Sequence, residues 1–169
     1  MRRLAAGLAL LAVGSGAQTS APAPQPPVGD ASRVDMCTVL TDAELTGLGN
    51  DVASRKPVNH VGLIGCRWLG SRYTLDLERD KDKIASYQAR QRDPAFTSFA
   101  TNTVNGRAGV RISVRPDRTD CVQFFDGGSV SLVVQLSKAG LYTGPPLDWC
   151  GEAMRIARMI EPRLPKVGG

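Results

Sequence analysis

The sequence predicts an α+β domain: one twisted, mainly antiparallel sheet of about five strands, with helices packed on it and two disulfides. Three observations lead there. Short runs alternate apolar and polar residues with period two, and short turns join them, which makes neighbouring strands antiparallel. Helix-start signals precede apolar residues at helical spacing near both ends of the domain. Four cysteines stand at 37, 66, 121 and 150, with no C-x-x-C pair among them, the pattern of a disulfide framework in an exported chain.

The chain begins with Met1-Arg2-Arg3 and an apolar run from Leu4 to Val13. Ser15-Gly16-Ala17 supplies small residues at the −3 and −1 positions of a cleavage site, so residues 1–17 are expected to be a secretory signal peptide. The run is too short to span a bilayer, and no other apolar stretch is long enough. Ala12-Val13-Gly14-Ser15 has the form of a bacterial lipobox with serine in place of the lipidated cysteine. A serine cannot form the thioether, so release rather than a lipid anchor is expected. Residues 18–34 are rich in Pro, Ala and Ser, a flexible spacer. The domain is expected over 35–165, with 166–169 as a tail.

Thr41 and Glu44 form a capping box, Leu40 can staple to Leu45, and Gly47 or Gly49 ends that short helix. Asn50 to Val61 is expected to be a polar loop carrying Pro57 and His60. Ile64, Cys66 and Trp68 share one face of a first strand; Tyr73, Leu75 and Leu77 alternate with Thr74, Asp76 and Glu78 in a second. Asp80 or Asp82 caps a surface helix reaching about Arg92, with a thin apolar face of Ile84 and Tyr87. Phe96 and Phe99 lie in a less regular stretch, and Asn105-Gly106 is a turn. Val110, Ile112 and Val114 alternate with Arg111, Ser113 and Arg115 as a third strand.

Thr119 to Phe125 and Val130 to Ser137 flank Asp126-Gly127-Gly128-Ser129, which predicts a hairpin with a two-residue turn. That turn sets Phe125 opposite Val130, Gln123 opposite Leu132 and Cys121 opposite Val134, with Cys121 on the apolar face. Asp148 caps a final helix whose stripe runs Cys150, Ala153, Met154, Ala157, Ile160, Leu164. Laying this helix on the hairpin brings Cys150 to Cys121, which leaves Cys37 for Cys66. Each bridge closes a loop of about thirty residues, or roughly 3.5 kcal/mol of loop-closure entropy.

Composition narrows the function. The 169 residues hold 21 Lys and Arg against 16 Asp and Glu; without Arg2 and Arg3 the balance is 19 to 16, or +3. With aromatics at 5%, this is no nucleic-acid footprint. His60, the single histidine, sits in a loop, and no G-x-S-x-G elbow accompanies it, so no catalytic residues are assigned. Asp76 and Glu78 share a strand face, but the outward one, where a glycosidase pair is not expected. Asp80 and Asp82 lack calcium-loop spacing, and Gly127-Gly128 lacks the lysine and helix of a phosphate loop. No metal site and no cofactor are expected. Arg107, Arg111, Arg115 and Arg118 are the candidate anion-binding cluster, with Arg111 and Arg115 on one outer strand face. Trp68 and Trp149 lie beside cysteines and are expected to pack over disulfides, the alternative being one wall of a ligand pocket.

Five pieces carry a resemblance: Cys37-Thr-Val-Leu-Thr-Asp-Ala-Glu-Leu45, Cys66-Arg-Trp68, Val104-Asn-Gly-Arg-Ala108, Cys121-Val-Gln123 and Cys150-Gly-Glu-Ala153. In order and spacing the chain resembles a four-cysteine family of unknown function abundant among actinobacterial envelope lipoproteins. The resemblance implies an exported, disulfide-bonded α+β domain, in most members lipid-anchored, and no activity. The expected function is therefore a non-enzymatic envelope domain that binds a protein partner or envelope ligand. The alternatives are a small-molecule or lipid carrier, which needs an apolar cavity between sheet and helices, and an envelope hydrolase, which needs His60 in a cleft with a carboxylate and a hydroxyl.

Overall fold

The computed structural model describes residues 29–117 and 119–166; the expected signal peptide, most of the spacer and the last three tail residues lie outside them. Seven strands, not five, form one antiparallel sheet in the order β1-β2-β3-β7-β6-β5-β4. They are β1 Lys56–His60, β2 Leu63–Trp68, β3 Tyr73–Asp80, β4 Ser98–Val104, β5 Arg107–Ser113, β6 Asp120–Asp126 and β7 Ser131–Lys138. The helices are α1 Asp42–Gly47, α2 Ile84–Gln88 and α3 Trp149–Ile160. The two strands absent from the sequence expectation, β1 and β4, are the sheet's margins. β1 occupies the expected polar loop, and β4 takes in Phe99 from the expected irregular stretch.

The sheet has an apolar core on each face. On one side Ala153, Ile156, Ala157 and Ile160 of α3 pack on Leu75, Leu77, Cys121, Phe125, Leu132, Val134 and Leu136. On the other, Ile84 and Tyr87 of α2 cover Val110, Ile112, Val122, Phe124 and Val133, and Tyr87 stacks on Phe124 at 3.9 Å between centroids. This second core makes the central strands buried on both sides, so their polar faces are not solvent faces.

The β6–β7 register differs from the expected one by two residues: Cys121 lies opposite Leu136, Gln123 opposite Val134 and Phe125 opposite Leu132. The connection is a four-residue loop, Gly127 to Val130, in which only Gly128 takes a positive φ, +85°. A shift of two preserves side-chain parity, so Cys121 still faces α3. Asp148 caps α3 by accepting from the Gly151 N–H at 2.9 Å, and the two bonds join Cys121 to Cys150 and Cys37 to Cys66. The capping box on α1 is present in both directions. α2 is shorter than expected and is not capped by Asp80 or Asp82: Lys83 precedes it, because Asp80 still belongs to β3 and its carboxylate accepts the Tyr87 hydroxyl.

Strand directions give the domain two poles. At one lie the Val61-Gly62, Asn105-Gly106 and Gly127–Val130 turns. The described chain begins here, already docked ahead of Asp35: Ala31 is fully buried with its N–H on the Gly127 carbonyl, and Asp30 accepts the Ser129 hydroxyl at 2.7 Å. The described chain also ends here, where Glu161 meets Arg107 and Lys166. At the other pole lie the Leu69–Arg72 turn, the 139–147 loop and the start of α3.

Candidate functional site

Arg107, Arg111 and Arg115 do not form one cluster. Arg107 is buried: its Nε donates to Glu161 Oε1 at 3.0 Å, and its guanidinium also reaches the carbonyls of Asp126 at 3.1 Å and Pro165 at 2.7 Å. It ties the end of the chain to the sheet and offers nothing to an anion. Arg111 is exposed but faces the α3 side, because Val110 and Ile112 turn toward the second core instead. Arg115 is exposed in the turn beyond β5, so it does not share a strand face with Arg111. Arg118 lies outside the described residues.

Arg111 lines an open cleft of about 330 Å³ between the start of α3 and the β4–β5 margin, with Phe99, Ser113, Asp120, Leu147 and Trp149. A second cleft of about 370 Å³ adjoins it, lined by Lys138, Tyr142, Pro145, Pro146 and, again, Leu147 and Trp149. Half-buried Trp149 stands between them as the first residue of α3, held by the Asp148 cap before it and the Cys121–Cys150 bond after it. The sequence places Trp149 but not Lys138 or Tyr142, since the 139–147 loop has no periodic pattern. Only Pro145-Pro146 marks that it must turn.

The carboxylates in these clefts have backbone partners. Asp120 accepts the N–H groups of Val114 and Arg115 at 3.1 and 3.2 Å, and Asp148 accepts that of Gly151. Asp117 takes both the N–H and the hydroxyl of Thr119, which hold its carboxyl below the usual range. The Ser113 hydroxyl donates to the Asp120 carbonyl at 2.9 Å. Arg111 and Lys138 have no side-chain partner among the described residues, and they share the groove with the three carboxylates Asp117, Asp120 and Asp148, so it offers two free cations within a mixed-charge lining. Two further open clefts of about 450 and 340 Å³ flank the Leu69–Ser71 turn, so all four of these clefts open at the pole away from Asp30 and Pro165.

Asp76 and Glu78 are not on a solvated face. They are 1% and 2% exposed, on the sheet side opposite α3. Arg67 clamps Asp76 with two bonds of 2.6 and 3.1 Å, yet burial raises the Asp76 carboxyl above its ordinary value. Burial, with the Asp76 charge added, raises Glu78 to about 7. One Glu78 oxygen and the Ser131 hydroxyl, both on this side, are buried without a partner. None of the four clefts is lined by these residues. His60, exposed at the end of β1, lies at the pole of the chain ends, far along the sheet from Trp149. Trp68 is buried in the α3-side core, with the Arg55 guanidinium 5.8 Å from its ring centroid.

Among the described residues no three or more His, Cys, Asp or Glu side chains are placed to hold a metal ion, and no helix is long and apolar enough to cross a membrane. The two disulfides fit a protein folded in an oxidising compartment. No curated protein and no solved structure matches the chain. A family model described as "Protein of unknown function (DUF3558)" matches residues 12–163, and the chain belongs to that family.

Proposed function

We propose that this is an exported, non-enzymatic binding domain of the cell envelope whose binding end is the groove astride Trp149. The observation that carries the reading is the polarity of the fold. The described chain begins and ends at one pole, and the four clefts named above open at the other. The groove therefore opens away from Asp30 and Pro165, clear of both ends of the described chain. The adjoining clefts suit an elongated ligand lying across Trp149, with an acidic group received by Arg111. Of the three expected arginines that the structure describes, Arg111 is the one that keeps the anion-binding role in this reading, because it lines the groove without a side-chain partner among the described residues.

The alternatives have less support. A carrier needs an enclosed apolar cavity, and the clefts here are open and partly polar-lined. A hydrolase needs a base near a nucleophile, and the groove's carboxylates and the Ser113 hydroxyl are engaged by the backbone while His60 stands at the other pole.

The test is site-specific photocrosslinking in exporting cells, with the photoreactive residue at Tyr142 or, as control, at exposed Asn59 near the other pole. The expected result is a discrete adduct from position 142 that weakens when Arg111→Ser is added, and none from position 59. Equal labelling from both positions, or none from 142, overturns the assignment.

A further inference from the structure

The sheet has two open margins, and they are built differently. β1 is five residues long and carries Lys56, Pro57 and His60. Proline removes a donor and charge discourages pairing, so this margin is guarded against a further strand. β4 is seven residues, Ser98-Phe-Ala-Thr-Asn-Thr-Val104, with no charge and no proline. Its inner side pairs with β5 along its whole length, and among the described residues its outward backbone groups have no partner. Such an edge is a template for strand addition.

The edge is also firmly held. Asn102 and Gln123 exchange amide hydrogen bonds of 2.8 and 3.0 Å, fixing β4 to the sheet across β5. Gly109 makes this room: a Cβ there would stand 2.3 Å from the Asn102 oxygen. A rigid edge loses little entropy on pairing.

We propose that β4 pairs antiparallel with β4 of a second copy, about a two-fold axis at Thr101. Charge selects this occupant. In a two-fold contact each residue meets itself or its symmetry mate, so a charge on the axis meets its like. This edge escapes that penalty entirely. Thr101 meets Thr101, Ala100 meets Asn102, Phe99 meets Thr103 and Ser98 meets Val104, with threonine opposite threonine at the centre, a favourable cross-strand pair. A partner recognised through charge would find nothing to read here. The dimer joins two seven-stranded sheets into one.

Sedimentation of the full exported chain from micromolar to near-millimolar concentration tests this. A reversible dimer is expected. Thr101 is exposed, so Thr101→Lys and Thr101→Glu should each fold, as checked by circular dichroism. Each alone should dimerise more weakly by on the order of tenfold or more. An equimolar mixture of the two should recover the dimer, which a merely misfolded variant would not do. A chain that stays monomeric throughout, or a dimer indifferent to Thr101→Lys, overturns the proposal. Neither result bears on the groove at Trp149.

Discussion

Replacing Glu78 by glutamine should stabilise the protein above neutral pH and flatten its stability between pH 5 and 8. Burial raises this carboxyl from 4.5 to about 7, and the neighbouring Asp76 adds to the shift. The folded protein therefore holds the proton more tightly than the unfolded chain does. Between those two values the folded state keeps a proton that the unfolded state has released, so stability falls as pH rises through that window. At about 1.4 kcal/mol per unit, the shift corresponds to about 3.5 kcal/mol at most. Local relaxation and water penetration bring the expected gain of Glu78→Gln at pH 8 to roughly 1–2 kcal/mol, or about 5 °C in Tm. Little hydrogen bonding is lost, because one Glu78 oxygen has no partner, and the unpartnered Ser131 hydroxyl lies on the same side of the sheet. Urea unfolding of both proteins at half-unit pH steps is the assay. The strongly depressed carboxyls, Asp30 and Glu44 at about 2, act only in more acidic solution and do not blur this window. A variant less stable than the parent at pH 8, or a stability difference independent of pH, would refute the reasoning.

Arg107→Ala should cost about 2–4 kcal/mol, because it leaves the Glu161 carboxylate with Lys166 alone and frees the Asp126 and Pro165 carbonyls; calorimetry should show a Tm fall on the order of 10 °C, and Arg107→Met with Glu161→Met should recover part of it. Burial alone would raise the Glu161 carboxyl, but hydrogen bonds from Lys166 and Arg107 hold it below its ordinary value, so this site's stabilisation is present at neutral pH and lost as pH falls below the ordinary glutamate range. Removing the Cys121–Cys150 bond as Cys121→Ala with Cys150→Ala opens a loop with a sequence separation of 29. Roughly 3.5 kcal/mol of stability should disappear in urea titrations, and photocrosslinking from Tyr142 should weaken as Trp149 loses its support.

Local signals were legible where one residue type decides the outcome. The Thr41–Glu44 box, the Asp148 cap and the Asn105-Gly106 turn, with φ of +47° and +94°, follow from side-chain chemistry within a few positions. The disulfide argument tolerated the wrong loop length because it depended on which face Cys121 takes, and an even shift leaves the face unchanged. The two strands that escaped notice are both margins, which bury little and therefore need no strict alternation; β4 shows it, with a single fully buried residue, Val104, at its end. Asp76 and Glu78 misled for the opposite reason. An acidic residue in an alternating strand normally marks solvent, but here α2 builds a second core on that side, and its five-residue length and two buried residues leave a weak trace in the sequence. The groove was the least legible feature, because Lys138 and Tyr142 reach Trp149 only through the path of an aperiodic loop.

The two ends of the described chain come out side by side, with Gly29 lying against Pro165 and Lys166 closely enough that a Cβ on the glycine would stand 2.5 Å from the Pro165 carbonyl carbon. That closeness makes the domain a natural guest: spliced into a surface loop of an unrelated host, it needs little spreading of the insertion point. The same closeness allows new termini to be cut at Gly140 while the old ones are joined by a short linker, which would turn the molecule end for end on whatever carries it.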